Sequence, residues 1–115
     1  MDPAKIKIIS KEELFELMEN KEKFTLVEVL AEEDYASGHL PCAINIPVDK
    51  LADAAPRLLP DTNGLIVVYC SGFLCTASTG VTRALQSMGY TNVRDYKGGK
   101  EDWSILRDEF HAFRK

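Results

Sequence analysis

The chain has 115 residues, 14 basic and 18 acidic for a net charge of −4, and 45% of them are hydrophobic. That makes one domain, residues 1–115, long enough to bury a core. No basic stripe suggests nucleic acid, no apolar run approaches membrane-spanning length, and residues 1–5 lack the apolar stretch of a signal peptide. Three cysteines, an odd number without a Cys-x-x-Cys pair, argue against a secreted disulfide framework and for a reducing, cytoplasmic setting.

Residues 6–9 read as a short opening strand. Ser10-Lys11-Glu12-Glu13 has the spacing of a capping box, with Ser10 as N-cap, Glu13 at the third helical position, and Ile9 and Leu14 as the staple. The helix it opens runs to about residue 20 and buries Leu14, Leu17 and Met18; Lys21-Glu22-Lys23 is a solvated turn. A second strand covers residues 24–30 and a short acidic helix residues 31–37, stopped at Gly38. His39-Leu40-Pro41 is a loop, a third strand covers residues 42–46 from Cys42, and Pro47 ends it. Asp49 caps a helix that Pro56 interrupts. Leu58 and Leu59 anchor packing, and Asp61-Thr62-Asn63-Gly64 is a turn.

Residues 65–69 (Leu65-Ile66-Val67-Val68-Tyr69) are apolar throughout, as a central parallel strand covered on both faces must be. Cys70 stands where that strand ends. After a short loop, residues 76–88 have helical spacing, with Ala77, Val81, Ala84, Leu85 and Met88 on one face and Gly89 at the stop. A cysteine at the carboxyl end of a central strand occupies the place where open α/β sheets bind ligands. Loop and helix-start N–H groups there favour a thiolate; the alternative is a small buried strand residue. Residues 92–96 form a last strand, Gly98-Gly99 follow, and the final helix carries Trp103, Leu106, Phe110 and Phe113 on one side. Strands alternating with helices predict a mostly parallel, three-layer α/β fold.

Several of these stretches fall in one familiar order. Leu26-Val27-Glu28-Val29-Leu30 precedes Glu32-Glu33-Asp34-Tyr35 and Gly38-His39-Leu40-Pro41-Cys42-Ala43-Ile44-Asn45-Ile46-Pro47; then come Val67-Val68-Tyr69-Cys70, Met88-Gly89-Tyr90-Thr91-Asn92-Val93, Gly98-Gly99 and Trp103. The chain resembles the single-domain rhodanese-like sulfurtransferases over nearly its whole length. The resemblance implies a five-stranded parallel sheet with helices on both faces. It also implies that Cys70 attacks the outer sulfur of a donor, becomes a persulfide and passes that sulfur to a thiophilic acceptor. Backbone N–H groups of Ser71, Gly72, Phe73, Leu74, Cys75 and Thr76 would cradle the persulfide, with no metal or organic cofactor. The partners implied are a small-molecule or protein-borne sulfur donor and a thiol acceptor.

The chain departs from that pattern at four places. Glu28-Val29-Leu30 replaces the frequent Asp-Val-Arg, Cys42 stands where glycine is usual, Ser71 and Cys75 occupy positions that usually supply a cation, and the loop glycine is Gly72, before the bulky Phe73 and Leu74. A loop without cations disfavours thiosulfate, a dianion, as donor. Phe73 and Leu74 either fold back on neighbours or line a site for a neutral or protein-borne donor. Cys75 is either a resolving thiol or a small packing residue at the helix start. Cys42 reads as core, at the sheet end opposite Cys70, which speaks against a zinc site made of the three cysteines. His39 reads as fixing its turn through a backbone bond, His111 as exposed, Arg83 as solvent-facing, Trp103 as a core anchor, and Glu32, Glu33 and Asp34 as a solvated helix face. Gly98-Gly99 reads either as a close approach to the cysteine loop or as a turn with positive φ.

Three functions compete: a persulfide-forming sulfurtransferase, a non-catalytic module that binds a partner or serves thiol redox regulation, and a phosphatase or arsenate reductase. The last needs an arginine six residues after the cysteine to clamp an oxyanion, and that residue is Thr76.

Overall fold

The computed structural model describes the backbone of residues 5–109 and the side chains of residues 5–104. The elements in chain order are β1 (Lys7–Ile8), α1 (Lys11–Glu19), β2 (Thr25–Glu28), α2 (Glu32–Ala36), β3 (Ile44–Asn45), α3 (Leu51–Leu58) after a 3-10 turn at Val48–Lys50, β4 (Ile66–Tyr69), α4 (Ala77–Ser87), β5 (Val93–Tyr96) and α5 (Gly99–Glu109). The five strands form one parallel sheet in the order β1-β5-β4-β2-β3. The expected central strand is central, and all four of its residues are buried.

Strand pleating divides the core in two. Val27, Val29, Val68, Cys70 and Val93 face one side and pack with Leu51, Ala54 and Ala55 of α3 and Val81 and Leu85 of α4. Leu26, Val67, Tyr69 and Tyr96 face the other and pack with Ile9, Leu14 of α1 and Trp103 of α5. Each fully buried aliphatic side chain contributes about 1.5–3 kcal/mol, so the two layers together hold helices on both faces of the sheet. Among the described residues no helix is long and apolar enough to cross a membrane.

Local chemistry sets the ends of several elements. Both bonds of the capping box form: Ser10 Oγ accepts from Glu13 N–H at 3.0 Å, and Glu13 Oε1 from Ser10 N–H at 2.9 Å. The turn before β4 closes through Asp61, whose Oδ1 accepts from Asn63 N–H and whose carbonyl accepts from Gly64 N–H. Gly89, past α4, has φ +101°. His39 Nδ1 lies 3.1 Å from the Tyr35 carbonyl, and its ring stacks on that of Tyr35. Arg83 is exposed and Trp103 buried, both as expected. The expected apolar line of α5 holds at Trp103; the Leu106, Phe110 and Phe113 side chains and His111 lie outside the described residues.

Three expectations need correction. Cys42 neither begins a strand nor belongs to the core. It is exposed, has φ +70°, and sits in a turn closed by Ala43 N–H donating to the Leu40 carbonyl. The short β3 starts two residues later, at Ile44. Asp49 does not cap α3, which starts at Leu51 without a side-chain cap and runs through Pro56. The lost N–H there would have met the Ala52 carbonyl, on the exposed side of the helix. Of the Leu58-Leu59 anchor only Leu59 is buried; Leu58 is 43% exposed.

The conformation of Cys42 yields a test. A side chain at positive φ costs roughly 1–2 kcal/mol, and the exposed thiol gives little back. Cys42→Gly is expected to raise stability by about 0.5–1 kcal/mol. Urea denaturation checks it, and a loss of stability would show that the Cys42 side chain makes contacts worth more than its strain.

Candidate functional site

β4 delivers Cys70 to its carboxyl end, where the residue is 1% exposed, and α4 starts seven residues later under Thr76 as N-cap. The side chain falls on the α4 side of the sheet, as its parity with Val68 requires. Cys70 Sγ donates to the Cys75 carbonyl at 3.6 Å. The Ser78 backbone N–H, in the first turn of α4, faces the same sulfur.

One amide of the expected ring is committed inside the loop. The Cys75 amide is committed to the Gly72 carbonyl at 3.0 Å, so the donor identified at the sulfur comes from Ser78, inside the first turn of α4. Phe73 and Leu74 do not fold back: they are 60% and 98% exposed at the loop tip. No side chain from 71 to 76 is cationic. Glu101 packs so close to Gly72 that a Cβ there would strike its carboxyl group, which adds negative charge beside the loop.

The start of α5 clamps the loop from behind. Lys100 N–H donates to the Cys70 carbonyl at 3.1 Å and Glu101 N–H to the Ser71 carbonyl at 2.9 Å. Gly99 has φ +61°, and a Cβ there would meet the Cys70 carbonyl oxygen and lie 2.8 Å from Gly72 N. Both readings of the glycine pair, close approach and positive φ, thus meet at Gly99.

Two buried carboxylates support this arrangement, and neither stood out in the sequence as part of a site. Asp95 on β5 is fully buried and accepts from Ser78 Oγ at 2.7 Å and Thr79 Oγ1 at 2.6 Å, which pins the first turn of α4. Lys97 donates to Thr79 Oγ1 at 3.2 Å. Glu28 on β2, also fully buried, accepts from the Tyr69 hydroxyl at 2.7 Å, and that hydroxyl accepts from Leu40 N–H. Lys100 Nζ sits 3.3 Å from Glu28 Oε2, an ion pair without hydrogen-bond alignment, and donates to the Asp34 carbonyl at 2.7 Å. Burial and the Glu28 bond push the Tyr69 hydroxyl well above its ordinary pKa, so it stays a donor. A charged residue ending an apolar strand was the sequence signal for Glu28, while Asp95 stands beside Arg94 and gave none; the partners of both are too distant in the chain to be read from it.

The two loop thiols divide unequally. Burial pushes the Cys70 thiol up, and its interaction with Cys75 adds to this against the Ser78 N–H. Burial also opposes ionisation of Cys75, but hydrogen bonds from Cys70, the Ala77 N–H and Ser71 outweigh it and bring Cys75 below the ordinary thiol range. Of the two thiols, Cys75 is therefore the more acidic. Alkylation follows the thiolate fraction, so in a Cys42→Gly background iodoacetamide at near-neutral pH is expected to label Cys75 first. As pH rises, Cys75 labelling levels off while Cys70 labelling still climbs. Mass mapping of the alkylated peptides reads the order, and Cys70 reacting first would reverse the assignment.

Two surface clefts, one beside α1 (Ile8, Glu13, Leu17, Arg94) and one beside Phe24, Leu58 and Leu59, include none of residues 70–76. The chemistry-bearing constellation is the loop itself: a strand-end cysteine held between the first turns of α4 and α5. A parallel three-layer α/β sheet carrying such a loop defines a class, and the comparisons name it. Residues 10–106 match the rhodanese-like domain family, and the chain belongs to that family.

The HTH-type transcriptional regulator Rv0324 of Mycobacterium tuberculosis is 36% identical over 92 residues, covering 78% of this chain and 39% of that one. The thiosulfate sulfurtransferase PspE of Escherichia coli is 32% identical over 75 residues, 65% of this chain and 70% of that one. Among solved structures, the human single-domain sulfurtransferase TSTD1 superposes with a TM-score of 0.76 at 25% identity, covering 88% of this chain and 97% of that one. The chain spans less than half the length of the first curated relatives it matches.

Proposed function

We propose that this domain is a sulfurtransferase whose carrier is Cys70. The thiolate attacks the outer sulfur of a donor persulfide or polysulfide, the donor's S–S bond breaks, and the donor leaves as a thiolate. Cys70 then holds the sulfane sulfur until a thiol acceptor takes it and restores the cysteine. The observation that carries this reading is the placement of Cys70 Sγ at the end of the central strand against the Ser78 N–H in the first turn of α4. A helix start stabilises negative charge on sulfur. Two relatives named as sulfurtransferases support the class.

Donor choice follows from charge. With no cation from 71 to 76 and the Glu101 carboxyl group beside Gly72, a dianion meets only repulsion and uncharged donors. Apolar Phe73 and Leu74 at the mouth suit a neutral or protein-borne persulfide. A charge-assisted contact is worth about 1.5–3 kcal/mol, so thiosulfate is expected to react roughly tenfold or more slowly than an uncharged sulfane donor. Ser71→Arg should narrow that gap.

The test is intact-mass analysis of the Cys42→Gly protein after exposure to an uncharged alkyl persulfide or to thiosulfate. Gain of one sulfur atom, abolished by Cys70→Ser, is the expected result. Equal gain in the Cys70→Ser variant would remove Cys70 as carrier. A second reading, a module that binds without chemistry, draws on the near-complete burial of Cys70 and predicts no gain from any donor.

A further inference from the structure

The sulfurtransferase reading leaves the thiol of Cys75 without work. Cys75 replaces a residue type that would bind an anionic donor, yet it is not merely inserted into the core. Its sulfur lies near enough to the Cys70 and Ser71 side chains and to the Ala77 N–H for each to favour its ionised form. The Cys70 sulfur in turn lies 3.6 Å from the Cys75 carbonyl. Cys75 is half-buried, against 1% exposure for Cys70, so solvent-borne reductants reach it. Two thiols on one short loop, with the sulfur of one against the backbone of the other, one enclosed and one at the rim, are the arrangement a thiol exchange needs.

We infer that Cys75 is the internal acceptor of the Cys70 persulfide: its thiolate attacks Cys70 Sγ, the bond from Sγ to the sulfane sulfur breaks, and that sulfur leaves as sulfide. This rests on Cys70 being the sulfur carrier. The Cys75 sulfur and Cys70 Sγ end as a disulfide; the sulfane sulfur takes the electron pair of the broken bond and is reduced to sulfide, which picks up a proton from solvent. The helix-start N–H at Ala77 favours the attacking thiolate. Turnover then requires two electrons from a dithiol reductant, which attacks the disulfide at the more exposed Cys75 and frees both cysteines. The product is sulfide and the partner a dithiol, in place of a sulfur-accepting monothiol.

The experiment uses the Cys42→Gly chain and a brief pulse of an uncharged alkyl persulfide, whose leaving group is a thiolate and not sulfide. Unreacted donor and its leaving thiol are removed at once, sulfide released by the protein is trapped and measured, and the protein is digested with chymotrypsin. Cleavage after Phe73 or Leu74 separates the two cysteines, so a disulfide holds both peptides together. The expected result is one sulfide per chain, linked peptides, and reopening by dithiothreitol. Cys75→Ser and Cys75→Ala should each keep the added sulfur on Cys70 and release sulfide at least roughly tenfold more slowly. If the parent chain keeps the extra sulfur with Cys75 freely alkylated, or if the sulfur moves intact onto Cys75, the resolving step is overturned while the carrier role of Cys70 stands. If the Cys75 variants take up no sulfur and neither does the parent, the sulfurtransferase reading falls and this one with it.

Discussion

Gly99→Ala should destabilise the protein by about 3–5 kcal/mol and abolish sulfur uptake by Cys70. The new methyl group would sit against the Cys70 carbonyl oxygen, 2.8 Å from Gly72 N and 2.9 Å from the Ser71 carbonyl carbon. All three are backbone atoms, so none can swing aside as a side chain would. The φ of +61° adds a further cost for any residue with a Cβ. Relief requires the first turn of α5 to withdraw, which breaks the bonds from Lys100 N–H and Glu101 N–H to the loop. Gly80→Ala is the control: a Cβ there meets nothing within 4 Å. That site lies inside α4, so the change should stabilise by about 0.5–1 kcal/mol. Urea unfolding of both variants decides the matter. A Gly99→Ala loss near that of an ordinary surface change would mean the loop is not clamped.

The second large effect is expected at Glu28. Glu28→Ala leaves the buried Tyr69 hydroxyl without its acceptor and Lys100 without its counter-charge. The orphaned buried hydroxyl costs about 1–3 kcal/mol and the cavity left by the side chain adds to it, whereas Lys100, partly exposed and still bonded to the Asp34 carbonyl, adds little. Glu28→Gln keeps an acceptor for Tyr69 and should lose roughly half as much. Because Lys100 also carries the amide that holds the Cys70 carbonyl, both variants should slow sulfur uptake in proportion to their loss of stability. Denaturant midpoints and uptake rates measured together test this. A stable Glu28→Ala protein with full activity would show that the network is idle.

How much of this was legible in the sequence depends on the range of the interaction. The Ser10 capping box, the Asp61 turn and the apolar run before Cys70 are written in adjacent residues, and each formed as read. Glu28 was visible as a carboxylate in an apolar strand. Its partners lie 41 residues away at Tyr69 and farther still at Lys100, and nothing local points to them. Asp95 is similar: its carboxyl group reaches back to Ser78 and Thr79, while helical spacing marked only the apolar face of α4. Cys42 misled because its neighbours suggested a strand, whereas the turn demands a conformation natural to glycine. Pro56 misled because the rule against proline inside a helix weakens where the orphaned carbonyl meets solvent. At the site, the place of Cys70 and the proximity of Cys75 could be expected from the loop's length. Which thiol is the more acidic could not, because it depends on which N–H groups turn toward which sulfur.

The clamp at Gly99 also bears on how the chain is made. β4 and the Cys70 loop leave the ribosome roughly 30 residues before Lys100 and Glu101, the residues whose amides hold that loop. At about 5–20 residues per second that is a delay of a few seconds. β5, the neighbour of β4 on one side of the sheet, is also still missing. During that interval both Cys70 and Cys75 are present on a growing chain whose loop has no backing. The thiols of the nascent protein are therefore open to premature oxidation until the last helix begins, and synthesis in a reducing environment protects them through that window.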